Sequence, residues 1–366
     1  MRVTLRAVLG LAIAAVLAVP VTATGGTVDD PTPLCGVSKP TGTAAPLAKQ
    51  LRVATYNVLH GLTDDGDRTL EARLTMSVNQ LAASGVDVVG LQEAEESPRH
   101  GRIVTRLADG LAAKTHQSWY WCWIRANPHW PLTPELQPGG GNPISAQMAR
   151  FANPHVAPWY EGSAVLSRFP IIDSAAHRLA GEDPQTRLTT DCTPPFRDDP
   201  TCLPAIFLQS RAAVWARVKT PTYGTVSITS SHTSGTVRQH RDLVRWATAR
   251  STGDKSALIA CDCNSLQDSA AQAFIREEGW IDTANRLHTA GPTSDQDVTA
   301  AAATVDHRID YVFLKSSEGL KALTSKRFMN QRAPSTLTTS GWLWPSDHWG
   351  VIDSLGFTAG GLPHTG

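Results

Sequence analysis

The sequence predicts an α/β (α+β) domain over residues 51–358, and three observations predict it. Short apolar runs bounded by polar clusters recur from residue 51 onward. Between them lie stretches whose apolar residues repeat every three or four positions. The two patterns alternate along the chain, so the sheets must be covered on a face by helices.

In chain order, "LRVATYN" (51–57) is an apolar run suited to a buried strand. Leu70, Leu74, Val78 and Leu81 share one face of a helix over 69–84, which Gly85 ends. "VDVVGLQ" is a second buried strand, and Ile103, Leu107 and Leu111 mark a second helix. "WYWCWI" (119–124) reads as a strand that opens a long insert at 115–160. That insert carries Trp119, Tyr120, Trp121, Trp123, Trp130 and "PGGGN", and is either strand plus surface loop or a substrate-facing wall. Further strands are expected at 163–169, 211–219, 225–231, 257–263 and 309–314, with helices near 236–250 and 269–278. No internal repeat is present.

The flanks read differently. Arg2 and Arg6 precede an apolar run from Ala7 to Val19, and Val21-Thr22-Ala23 has the small residues of a secretory cleavage site. The run is shorter than the ~20 residues a spanning helix needs, so residues 1–23 read as a signal peptide rather than an anchor. Residues 24–50, rich in Thr, Pro, Gly and Ala, read as a linker with little structure, and 359–366 as a tail. The terminal "LPHTG" resembles a sorting signal but lacks the hydrophobic segment and basic tail such a signal needs.

Lys plus Arg equals Asp plus Glu at 33 each, so no global field draws the chain to nucleic acid or a membrane surface. Neither stable membrane insertion nor an obligate protein partner is expected. Export makes the six cysteines candidates for disulfides. Cys192 and Cys202 bracket a polar, proline-rich loop and are the foremost pair; the other four allow three pairings.

"ALIACDCNSL" (257–266) sets the chemistry. On a strand Cys261 and Cys263 face one way, and Asp262 and Asn264 the other. No further Cys or His follows at metal-ligand spacing. A bridge between the two would span ~6.6 Å of extended strand, at the edge of disulfide geometry. The cysteines therefore read as packing residues, and Asp262 with Asn264 as a polar site at a strand end. The signature recurs: "VATYN" ends in Asn57, "VVGLQE" in Gln92-Glu93 and "VSITSSH" in His232, while "DYVFL" begins with Asp310 and "DHWGVIDSL" with Asp347-His348. A lone Asp or His at a strand end is more often a cap. Six such clusters offer hard oxygen donors and imidazoles, suited to a divalent cation and to proton transfer beside it. Glu95, Glu96 and Arg99 read instead as a solvated loop, and an Asp310–Arg308 surface pair is the bland alternative for Asp310.

In order and spacing these residues resemble the endonuclease/exonuclease/phosphatase superfamily, which includes deoxyribonuclease I, neutral sphingomyelinases and inositol-phosphate 5-phosphatases. The resemblance covers residues 51–358. It implies a four-layer sandwich, two mixed sheets packed face to face with helices outside and the active site at one rim. It implies Glu93 and Asn57 as metal-binding residues, with Asp347 a second metal ligand. By the same resemblance, Asp262 and Asn264 would position or deprotonate the attacking water. His348, oriented by Asp310, resembles the family's histidine that contacts the phosphoryl group or acts as base, and His232 with Glu161 resembles its candidate general acid. Cys261 stands where the family usually has glycine and Cys263 where it has phenylalanine, and "SSHTSG" lacks the threonine and leucine that usually flank the histidine on either side. The expected function is a secreted, Mg²⁺-dependent phosphoester hydrolase, with Mn²⁺ or Ca²⁺ as substitutes, acting on nucleic acid. The alternatives are a sphingomyelinase-like lipid phosphodiesterase, an inositol-phosphate phosphatase, or a silent binding protein on the same fold.

Overall fold

A computed structural model of the chain describes residues 32–39, 50–60, 64–97, 100–129, 159–180, 187–189, 205–207, 211–317 and 319–357. The strands of its two main sheets are β1 (Leu34–Ser38), β2 (Leu51–Asn57), β3 (Val88–Gln92), β4 (Trp119–His129), β5 (Trp159–Ser167), β6 (Ile171–Arg178), β7 (Ala212–Thr220), β8 (Gly224–His232), β9 (Ser256–Asp262), β10 (Ile281–Asp282), β11 (Asp310–Ser316), β12 (Leu320–Phe328) and β13 (Gly350–Phe357). The first sheet runs β1-β4-β5-β3-β2-β13-β12, with short strands at 96–97 and 101–102 beside it; the second runs β10-β11-β9-β8-β7-β6. Helices α1 (Asp64–Ser84) and α2 (Ile103–Thr115) cover the first sheet, and α3 (Val237–Arg250) and α4 (Ala270–Glu277) the second.

Alternation along each strand sorts the apolar residues into three layers. Val53, Val88, Val165, Ile228, Leu258, Val312 and Val351 meet between the sheets. Ala54, Tyr56, Val89 and Leu91 face α1 and α2, where they pack on Leu70, Leu74 and Leu107. Ile259, Cys261, Tyr311 and Phe313 face α3 and α4. Three apolar layers between four layers of structure make the sandwich that the sequence implies.

The sheets approach closely under the site. A Cβ on Gly90 would stand 2.6 Å from the Ala260 Cβ, so only glycine permits this separation. Beside it, the Gln92 amide crosses the gap, donating to Ser230 Oγ and to the Ala260 carbonyl, each at 3.2 Å. This polar tie fixes how the two sheets register beneath the rim.

Several expectations change. Helix α1 begins at Asp64 rather than 69, because its polar first turn carries no apolar period. Residues 34–38, read as linker, form edge strand β1, tied to β4 by the Cys35–Cys122 disulfide. Trp119, Trp121 and Trp123 line no substrate wall: all three are buried, and the Trp123 indole donates to the Ala94 carbonyl at 2.7 Å. Glu95 is fully buried rather than solvated, and Glu96 pairs with Arg102 and Arg125. The signal peptide, Cys192 and Cys202, Trp130, Arg99 and "LPHTG" lie outside the described residues. Among the described residues, no helix is long and apolar enough to cross a membrane.

Candidate active site

Strand register gathers the polar residues at one rim. His232 pairs with Asp262 across the parallel β8–β9 ladder, and Asp262 with Asp310 across the antiparallel β9–β11 ladder. Residues paired across a ladder share a face. These three side chains therefore stand in a row on the face that turns Ile228, Leu258 and Val312 toward the other sheet. From that sheet, Asn57 and Gln92 pair across the parallel β2–β3 ladder, and β5 brings Glu161.

Asp262 is the hub. Its Oδ2 accepts from Asn57 Nδ2 at 2.9 Å, and lies 3.4 Å from His232 Nε2 and 3.8 Å from His348 Nε2. Burial alone would raise its carboxyl, but His232 and His348 hold it below its ordinary value, so it stands ionised. Each imidazole is braced from behind by a carboxylate. His348 Nδ1 donates to Asp310 Oδ2 at 2.9 Å, and His232 Nδ1 to Glu161 Oε1 at 2.9 Å. Burial opposes charge on both rings, and Arg211 adds to that at His232, yet the surrounding carboxylates outweigh it. Both pKa values are raised, that of His348 strongly. Asp310 itself is pushed up to about 6 by burial, with Asp262 adding to the effect. The bland Asp310–Arg308 pair does not form: Arg308 binds Asp282, at 2.6 and 2.9 Å.

Glu93, at φ 54°, occupies left-handed backbone just beyond β3, as Leu59 does at φ 51° beyond β2. Such backbone costs of order 1–3 kcal/mol per residue and is kept where a site needs it. Here it turns Glu93 toward Asn57 and His60. Burial would raise the Glu93 carboxyl; His60 and His232 bring it below its ordinary value.

Asn57 stands between two of the acids. Its Oδ1 accepts from Leu59 N at 3.0 Å, which fixes the amide's orientation and leaves Nδ2 bridging Glu93 and Asp262. It ties the two carboxylates together; its oxygen is turned away from them. Asp347 is half-buried beside Ser346, which donates to it at 3.2 Å. Burial raises its carboxyl and the charge of Glu93 adds to this, while His60 and His348 oppose it. Among the described residues it belongs to neither of the two buried clusters of donor atoms at this rim, Glu93-Glu161-His232 and Asp262-Asp310-His348; a third, Asp295-Asp306-His307, is exposed. Asn264, at φ 44°, donates from Nδ2 to the Thr233 carbonyl at 2.9 Å and stands 2.8 Å from His232 Nε2.

Four residues here were not anticipated. Arg73, fully buried on α1, donates to the carbonyls of Val58, Leu59 and His60 and so shapes the loop after β2. Its sequence signal was a lone arginine three residues after Leu70, inside an apolar stripe. His60 places Nε2 3.5 Å from Glu93, and Arg211 pairs with Glu161 at 3.2 Å. Thr293 Oγ1 accepts from the backbone N–H groups of Ile309 and Asp310. The last two had no local signal, because their partners are 50 and 17 residues away.

Residues 54–348 match the Endonuclease/Exonuclease/phosphatase family, and the chain belongs to it. Members of that family are phosphoester hydrolases that depend on a divalent metal. Among solved structures, a family protein from Leptotrichia buccalis is similar at 16% identity and TM-score 0.55, covering 84% of this chain and 100% of that one. A mannosyl-6-phosphatase from Bacteroides thetaiotaomicron is similar at 17% identity and TM-score 0.54, covering 84% and 100%. The human Nocturnin catalytic domain, with bound sulfate, is similar at 16% identity and TM-score 0.50, covering 85% and 94%. At these identities the likeness shows the fold. No curated protein matches the chain.

Proposed function

We propose that the chain is a secreted, Mg²⁺-dependent phosphodiesterase acting on nucleic acid. The observation that carries the chemistry is the ionised Asp262 carboxylate held between two imidazoles, each braced by its own acid.

The donors fit a hard divalent cation. Glu93 and Asp347 offer only oxygens, and their charges disfavour one another, as expected of carboxylates gathered for a cation. Glu93, with Asp347 as the second ligand, would hold it, and when bound it would supply charge neutralisation for the phosphoryl oxygens. The remaining steps belong to the chain's own residues. Asp262 Oδ2 takes the proton of the attacking water, and Asn57 and Asn264 hold that carboxylate in place. His348, charged and oriented by Asp310, binds a phosphoryl oxygen through Nε2. His232, kept protonated beside Glu161, gives its proton to the leaving oxygen.

Two observations support nucleic acid over lipid. Trp119, Trp121 and Trp123, three of the tryptophans that could have entered a membrane surface, are in the core. Glu95, which would have repelled a phosphate backbone, is buried, and Glu96 is engaged by two arginines. Secretion is supported by the Ala7–Val19 run and by the Cys35–Cys122 and Cys261–Cys263 disulfides, which suit an oxidising compartment.

The test offers duplex DNA, single-stranded DNA, RNA, sphingomyelin vesicles, inositol phosphates and mannose 6-phosphate to one preparation with Mg²⁺. Cleavage of a nucleic acid at least about tenfold faster than any other supports the reading. Preferred turnover of lipid or of a sugar monoester overturns the substrate while leaving the site.

A further inference from the structure

Asp262 is flanked in sequence by two cysteines, and in the structure they are bonded to each other. The extended strand that the sequence suggests would hold their Cα atoms ~6.6 Å apart. They stand at 5.2 Å, so the backbone is drawn in across Asp262. Both sulfurs lie in the fully buried layer with Tyr311, Phe313 and Trp280, on the face opposite the carboxylate. A bridge between the residues before and after Asp262 shortens that face and presents the Asp262 side chain on the other, toward Asn57, His232 and His348.

The chain leaves the bridge in a fixed path. Cys263 N donates to the Ile309 carbonyl at 2.8 Å, and the Cys263 carbonyl accepts from Thr233 Oγ1 at 2.7 Å. Asn264 then enters left-handed backbone at φ 44°, donates its N–H to Asp262 Oδ1 at 3.1 Å, and sends its side chain to His232. A Cβ on Gly235 would meet the Asn264 carbonyl oxygen at 2.1 Å, so the opposite loop accommodates this path with a glycine. Asp262 and Asn264 thus take their positions directly from the backbone that the disulfide constrains.

Two bridges allow the local role to be separated from general stabilisation. Cys35–Cys122 closes a sequence separation of 87, whereas Cys261–Cys263 closes one of 2. A cross-link limits the unfolded chain more as its loop lengthens, so the long bridge is the stability element and the short one restrains little beyond its own turn. We propose that the Cys261–Cys263 disulfide is a positioning element of the active site, holding Asp262 and Asn264 in the geometry for water activation. This rests on the assignment of Asp262 as the base.

The test compares wild type, Cys261→Ala/Cys263→Ala, Cys35→Ala/Cys122→Ala and Asp262→Asn, each in Mg²⁺ with a generic phosphodiester, by kcat, KM and Tm. The short-bridge variant should lose 10- to 100-fold in kcat with KM unchanged and little change in Tm. The long-bridge variant should keep kcat and lose the larger share of Tm. Wild-type kcat in the short-bridge variant, with Asp262→Asn inactive, overturns the inference and leaves the base assignment standing. An active Asp262→Asn overturns both. Should the short-bridge variant fail to fold, wild type is titrated with a phosphine reductant and the thiols of each pair are mapped by alkylation. Loss of kcat that tracks reduction of Cys261 and Cys263 supports the inference; full kcat with that pair reduced overturns it.

Discussion

The Nδ1 of His348 donates to Oδ2 of Asp310 across 2.9 Å, and both side chains are buried. The bond fixes the ring so that Nε2 faces the Asp262 carboxylate at 3.8 Å. If His348 binds a phosphoryl oxygen as proposed, His348→Ala should lower kcat by roughly 10³-fold or more. Asp310→Asn keeps the ring but loses the charge that orients and protonates it, and should cost about 10²-fold. Steady-state kinetics check the order; a harmless Asp310→Asn would remove Asp310 from the site.

His232 should behave differently. His232→Ala is expected to lose on the order of 10²–10⁴-fold in kcat on a substrate with a poor leaving group. The loss should be far smaller on an activated ester such as a nitrophenyl phosphodiester, whose leaving oxygen needs no proton. Glu161→Gln should show the same leaving-group dependence more weakly, because its carboxylate acts through the imidazole. Equal losses on both esters would contradict the general-acid role.

Gly90→Ala tests how the site is supported. Its Cβ would fall 2.6 Å from the Ala260 Cβ, with Ser230 also close, so the sheets must part directly under the rim. The expected destabilisation is about 1–3 kcal/mol in urea unfolding, as for other overpacked cores. An unchanged midpoint would show that the inter-sheet gap relaxes freely.

Asp353, fully buried on β13, has its pKa raised to about 7 by burial, with Asp282 adding to it and Ser325, Thr283 and Arg308 offsetting only part. The unfolded carboxyl releases its proton near pH 4, the folded one near 7. Between those values the folded state binds more protons, so stability falls as pH rises through the window and levels off above it. From pH 5 to pH 8 this group should cost roughly 2–3 kcal/mol. Asp353→Asn should remove that decline, as read by urea unfolding at the two pH values. Parallel declines in both proteins would assign the effect elsewhere.

Much of this was legible because period and alternation are local. Leu107 and Leu111 repeat at helical spacing and are buried on α2. Asn57, His232, Asp262 and Asp310 end or begin apolar runs, and strand register brings those ends to one rim. The failures share a cause as well. Strand β1 lies in a Thr/Pro-rich stretch and is held by a cysteine 87 residues away, a contact no window reveals. For Trp119, Trp121 and Trp123 the sequence leaves strand and substrate wall both open, because the α2 and β2–β3 surfaces that bury them come from elsewhere in the chain. The Cys261–Cys263 bridge was set aside on ideal strand spacing, and the chain departs from that spacing at the site itself. Arg73 and Arg211 neutralise or shape from behind, and only the fold shows what they face.

The central claim is that Asp262 activates water at a divalent-metal site. It is tested most directly by turnover of a phosphodiester by wild type and Asp262→Asn, each in excess Mg²⁺ and in excess chelator, with circular dichroism confirming that both are folded. Turnover is expected only for wild type in Mg²⁺, restored after chelation by adding Mg²⁺ or Mn²⁺, with Asp262→Asn lower by at least about 10³-fold. Wild-type turnover in chelator, or comparable turnover by a folded Asp262→Asn, would contradict it.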